Sequence, residues 1–242
     1  MEAYKGDTLK SIYPSMAIVA EFPRQVLILK PTSKIVGLSG RGKGLQRRLI
    51  DKHQTFGFPK FCAELLAARS GNKELEKSLV RMGKEASEHL ENVMSGAVKL
   101  REAIDSLGKD FTRQELDVIR KAAPLTHELA NKIVKQAMTM AALMGADHPQ
   151  SRGLPPLDEL PNTFLLRFAL SGMVYLVHRI EFGGVGDAKP EKLRNDVVDL
   201  SFSAYATYFD GLLTGDKKLV SIYELTVALL GYFKRSLAEE GR

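Results

Sequence analysis

The run Asn195-Asp-Val-Val-Asp-Leu-Ser-Phe-Ser-Ala-Tyr-Ala-Thr-Tyr-Phe-Asp210, continued by Gly-Leu-Leu-Thr-Gly-Asp216-Lys-Lys218, governs how the chain is read. Asp196 and Asp199 are three apart, so a helix places them on one face. Val197, Val198, Leu200, Phe202, Ala204 and Tyr205 surround them, so this helix is apolar nearly all round and is expected to be buried. Two carboxylates there repel each other and are costly to desolvate without a compensating cation. A divalent metal is a natural compensator, since hard oxygen ligands suit Mg²⁺ or Mn²⁺. Asp210–Thr214 reads as a short strand centred on Leu212 and Leu213, with Asp216 directly after it. In α/β sheets ligands bind at the carboxyl ends of parallel strands. A helix antiparallel to that strand would therefore bring Asp196 and Asp199 towards Asp216. Each acid also has a plainer role. Asp216 is well placed as a helix N-cap, Asp196 as a first-turn carboxylate stabilised by the helix dipole, and Asp210 as a turn residue or a group supporting the ligands.

Outward from this run, Pro190 opens its helix, and Lys217–Ser236 is a final amphipathic helix. Upstream, Asn162 or Thr163 caps a very apolar helix ending at Gly183-Gly184. The middle is strongly helical. Leu75, Leu79, Met82, Ala86, Leu90, Val93, Ala97, Leu100 and Ile104 form one stripe at spacings of three and four. Thr112 with Glu115 is a capping-box signature for the next helix, which runs towards Met144 with a kink near Pro124. The two are expected to form a helical hairpin over 73–146, serving as a packing insertion or a homo-oligomer surface. At the start, Met16–Ala20 and Gln25–Leu29 read as strands of a buried sheet. A Gly-rich turn, Gly37–Gly44, follows. Leu45–His53 reads as a short basic helix, and Pro59 opens another through Arg69.

The chain has 242 residues, 44% hydrophobic and 26% charged, ordinary for a globular protein with one large domain. Cys62 is its single cysteine, which excludes an internal disulfide framework. No secretory signal is visible, and Phe164–Ile180 is too short and too charged for a comfortable membrane span, so a cytoplasmic, non-membrane protein is expected. The formal net charge is +6, and the basic charge is uneven. Arg24, Lys30, Lys34, Arg41, Lys43, Arg47, Arg48 and Lys52 face only Asp51 between Arg24 and His53. Such a patch favours phosphate-bearing partners, although a solvated basic surface would look the same. Gly37-Leu-Ser-Gly-Arg-Gly-Lys43-Gly44 nearly matches a P-loop, but Gly44 replaces the hydroxyl residue that would contact Mg²⁺. The histidines show no zinc-ligand spacing, and no Gly-x-Ser-x-Gly elbow occurs.

An Asn-Asp-x-x-Asp helix, an apolar strand and then Thr-x-Asp-Lys resembles the carboxyl-terminal half of the PIN-like nuclease domain, over about Leu193–Leu225. The resemblance implies an α/β fold: a helix-rich, three-layer α/β/α PIN-like core with a small, mostly parallel sheet, in a single domain over 1–242 carrying the hairpin. It implies that Asp199 and Asp216 are catalytic metal ligands with Asp196 beside them, that Asn195 and Thr214 support them, and that Mg²⁺ or Mn²⁺ is the cofactor. Glu64 and Asp210 are further candidate ligands. The family's first-strand Asp would align with Lys30, or with Glu21 in an alternative alignment. The implied activity is metal-assisted phosphodiester hydrolysis, most naturally of RNA, in a toxin or in RNA processing. Arg41, Lys43, Arg47 and Arg48 would hold the nucleic-acid backbone. The alternatives are a catalytically degenerate nucleic-acid-binding domain, a helical protein-interaction domain, or a P-loop-like nucleotide-binding protein.

Overall fold

The computed structural model describes residues 8–86, 88, 106, 109–121, 124–147, 155–181, 190–233 and 237. Among them the regular elements are all helical: α1 (Thr8–Glu21), α2 (Thr32–Ile35), α3 (Leu45–Leu49), α4 (Lys52–Arg69), α5 (73–86), α6 (Arg113–Arg120), α7 (His127–Asp147), α8 (Phe164–Glu181), α9 (Pro190–Ala206) and α10 (Lys217–Leu230), with 3₁₀ turns at Leu160–Asn162 and Gly231–Phe233. No strand or sheet occurs among the described residues, and pairing is limited to an isolated antiparallel bridge between Leu29 and Ile50. The expected α/β/α PIN-like core with a parallel sheet is therefore corrected to an all-helical arrangement.

The physical reasons lie in three short runs. Met16–Ala20 belongs to α1, because Leu9, Ile12, Tyr13 and Met16 already form a helical stripe that packs against Leu65, Ala68 and Leu79. In Gln25–Leu29 the first residue closes a turn, its N–H donating to the Phe22 carbonyl at 2.9 Å, and the rest finds one bridge rather than a partner strand. Asp210–Thr214 is a connector from α9 to α10, and Leu213 on it is fully exposed, the opposite of a central sheet position.

Other boundaries moved for local reasons. Asp51 caps α4, accepting from the Gln54 N–H at 3.1 Å, so α4 begins before Pro59 and carries that proline inside it. The Thr112–Glu115 capping box forms as read, but its helix ends at Arg120, and α7 begins as a separate element beyond Pro124. Thr163 accepts from the Leu166 N–H at 3.3 Å and starts α8. Most of the expected first arm of the hairpin, beyond 86, and the Gly183-Gly184 stop lie outside the described residues.

The chain divides into two compact units, one from residues 1–30 and 50–96, the other from 31–49 and 97–242. In the first, α1 packs on α4 and α5 around Ile12, Leu65, Ala68 and Leu79. Residues 22–29 strap the start of α4: the Ile28 N–H donates to Thr55 Oγ1 at 3.0 Å, and the Asp51 N–H to the Ile28 carbonyl at 2.7 Å. In the second, α8 is central and packs against α6, α7, α9 and α10. Leu166, Leu170, Met173 and Leu176 on α8 are fully buried or nearly so, each worth roughly 1.5–3 kcal/mol relative to exposure. No helix among the described residues is long and apolar enough to cross a membrane.

Candidate functional site

Three helices of the second unit build the candidate site. α8 brings Tyr175, α9 brings Asp196 and Asp199 from one face, and the first turn of α10 brings Asp216 and Lys218. Of the carboxylates chosen from the sequence, Asp196 and Asp199 come together, around an ammonium group. Lys218 Nζ donates to Asp196 Oδ1 and, at 3.3 Å, to Asp199 Oδ2. Tyr175 donates its hydroxyl to the other oxygen of Asp196. Asp196 is 4% exposed, so both of its oxygens are satisfied inside the bundle. Asp216 faces the solvent side. Its Oδ1 accepts from the Lys218 and Leu219 backbone N–H groups at 2.8 and 3.2 Å, which makes it the N-cap of α10.

The electrostatics follow from this packing. Burial pushes the Asp199 carboxyl up, against the opposing pull of Lys218; the charges of Asp216 and Asp196 add to the rise. For Lys218, burial disfavours the charge, but the hydrogen bond and charge of Asp196, with those of Asp199, outweigh it and the pKa rises. The ammonium is therefore retained at neutral pH, and an amine nucleophile is not available there. Burial and Asp196 raise the Tyr175 phenol, which stays protonated and donating.

The donor set does not fit a divalent metal. Lys218 already occupies the facing oxygens of Asp196 and Asp199, and Asp216 is engaged by backbone donors. Among the described residues no group of three or more His, Cys, Asp or Glu could hold a metal ion. The other candidates lie apart in role. Thr214 Oγ1 accepts from the Asp216 N–H at 3.1 Å and shapes the cap. Asn195 receives a long 3.4 Å contact from Arg194. Asp210 is exposed beyond α9. Glu64 belongs to the first unit, 3.7 Å from Lys60 on the surface of α4. Lys30 follows the Leu29 bridge, and Glu21 is the exposed last residue of α1, so neither stands at the end of a strand.

A second polar node pins the same helices. Arg167, 5% exposed, donates Nε to the Pro161 carbonyl at 2.9 Å and a terminal N–H to the Thr207 carbonyl at 2.7 Å, and lies 3.7 Å over the Tyr208 ring. The Tyr208 hydroxyl donates to the Asn162 carbonyl at 3.0 Å. Below it, the hydroxyls of Ser171, Ser203 and Thr226, all fully buried, connect α8, α9 and α10 at 3.2 and 3.4 Å. Sequence reading missed Arg167, Tyr175 and Lys218. A local signal existed for Arg167, a lone charge inside an otherwise apolar helix turn.

The basic segment takes a definite form. Ser39 Oγ donates to Glu159 Oε2 at 3.0 Å, and Arg41 Nε lies 3.6 Å from Glu159 Oε1. A Cβ on Gly40 would stand 2.0 Å from the Glu159 carbonyl oxygen, so the glycine permits this close approach. Gly44 adopts φ +68° and turns the chain into α3, whose Gln46 donates to the Tyr208 carbonyl at 2.7 Å. Arg48 donates to the Arg41 carbonyl. Arg41, Lys43 and Arg47 are exposed, and Arg48 is half-buried. This loop departs from a P-loop: no strand precedes it, and α3 has only five residues.

Compared with known proteins, the chain matches no family model, no curated protein and no solved structure.

Proposed function

We propose that this chain is a non-catalytic, helical nucleic-acid-binding protein whose phosphate contacts come from the basic segment of residues 34–48. The observation that carries the reading is the anchoring of that segment. Glu159 holds Ser39 and Arg41 at one side and the Tyr208 carbonyl holds Gln46 at the other, while Arg41, Lys43 and Arg47 stay exposed. A segment whose backbone is already held at both sides loses less conformational freedom when its cations meet phosphates than a free loop would. It belongs to a chain of net charge +6. Backbone contacts of this kind position a nucleic acid without reading its sequence.

The lysine-centred cluster supports the non-catalytic half of the proposal. Hydrolysis through Asp196, Asp199 and Asp216 would require a metal to displace Lys218 and the α10 cap. Two measurements test both halves. Binding of single-stranded RNA should weaken with salt, and the triple variant Arg41→Ala/Lys43→Ala/Arg47→Ala should flatten the log–log slope by about 2, since each lost phosphate contact removes roughly 0.7. An unchanged slope removes the assignment to this segment. The same RNA should stay intact with Mn²⁺ or EDTA, for wild type, Asp199→Asn and Asp216→Asn alike. Mn²⁺-dependent loss that Asp199→Asn abolishes would restore the hydrolytic reading.

A further inference from the structure

The outer face of α4 carries an exposed aromatic ring among cations, and the phosphate reading leaves it unused. α4 buries Phe58, Cys62, Leu65 and Ala68. Phe56 lies nine residues before Leu65, about two and a half helical turns, so it points to the opposite side. It is 83% exposed. Lys52 and Lys60 stand four residues to either side of it and His53 three before it, and all three are exposed. Positions three and four apart are neighbours on a helix surface, so the ring is framed by positive side chains along one stripe. The first turn that presents it is held firmly. Asp51 caps it at 3.1 Å, and Thr55, the neighbour of Phe56, is strapped to Ile28 at 3.0 Å.

We infer that this face of α4 is a stacking platform on which an unpaired base lies against Phe56, while Lys52 and Lys60 meet the flanking phosphates. The inference rests on the nucleic-acid reading above and deepens it, from polyanion to single-stranded nucleic acid. Charge complementarity selects the occupant. A ring between two ammonium groups matches a base between two phosphates, and every base has a π-face to offer. An anionic lipid surface would ask for a broad apolar face. The outer side of α4 offers one ring among Lys52, His53 and Lys60, with Glu64 3.7 Å from Lys60 and the exposed Leu66 ten residues after the ring, which is not a broad apolar face. Duplexes keep their bases stacked on one another, so the ring should contribute nothing to their binding.

The test uses the full chain, a labelled oligouridine and a duplex RNA of equal length. Phe56→Ala should weaken oligouridine binding roughly tenfold, the effect of losing one stacked base, and leave duplex binding unchanged. Phe56→Tyr should restore the affinity and Phe56→Leu should not. Oligouridine binding that is unmoved by Phe56→Ala, or fully restored by Phe56→Leu, overturns the platform while the basic-segment reading stands. Wild-type protein that binds neither RNA removes both. Vesicles containing phosphatidylserine form the last arm: capture that is lost in Phe56→Ala while oligouridine binding is unchanged overturns the inference in favour of a lipid surface.

Discussion

Lys218 sits two residues past the α10 cap and reaches back to α9, where it holds two carboxylates. The need for a cation beside Asp196 and Asp199 was legible, because two acids on an apolar helix cannot be left uncompensated. The identity of the cation was not. Lys218 stands in the same stretch as Asp216, but its side-chain direction depends on the packing of α9 against α10, which no local pattern encodes. Tyr175 was hidden differently, since a tyrosine in an apolar helix reads as core. Lys218→Met should lower stability by about 3 kcal/mol at neutral pH, the lower end of what stranding a buried charge costs. The folded state holds the Lys218 proton above its ordinary value of 10.5. Its contribution is therefore full below that value and is lost as pH rises through the folded pKa. Urea melts should show a wild-type advantage that stays level from neutrality to about pH 10 and closes above it. An advantage that persists unchanged through the alkaline limb would exclude Lys218 as the titrating group.

The helices were the most legible elements, and the strands the least. Thr112 with Glu115, the start of α8 at Thr163, Pro190 at the head of α9 and the start of α10 were all marked by capping chemistry that acts within one turn. Runs of four or five apolar residues carry no such mark. Met16–Ala20 suits a buried strand as well as a helix, and the tie is broken by Leu9 and Ile12 upstream, whose spacing is helical. Asp210–Thr214 has two leucines at its centre, yet it is the connector into α10 and Leu213 on it is fully exposed. The cap role of Asp216 gives a direct test. Asparagine caps as well as aspartate, so Asp216→Asn should change stability by only a few tenths of a kcal/mol, whereas Asp216→Ala should cost about 1 kcal/mol. Thermal melts of the two variants with and without Mn²⁺ separate a cap, which tolerates asparagine in both, from a ligand, where asparagine removes a Mn²⁺-dependent gain.

Across the whole molecule, the expected sheet was an inference from three weak runs, and it fell with them. Asp196 and Asp199 still meet a side chain from the first turn of α10, because α9 and α10 pack together on α8 and need no strand between them. The order in which the chain visits its two units carries a further consequence. It leaves the first after residue 30, returns at 50 and leaves again after 96, so the units are interleaved along the chain rather than consecutive. No single cut yields the second unit whole. A fragment of residues 97–242 retains Glu159 and Tyr208 but lacks Ser39, Arg41 and Gln46, which dock on them. A synthetic peptide of residues 31–49 supplied to that fragment should raise its melting temperature progressively with the logarithm of peptide concentration, and a scrambled peptide should not. The segment proposed to touch nucleic acid is then also a part that completes its own unit when added from outside.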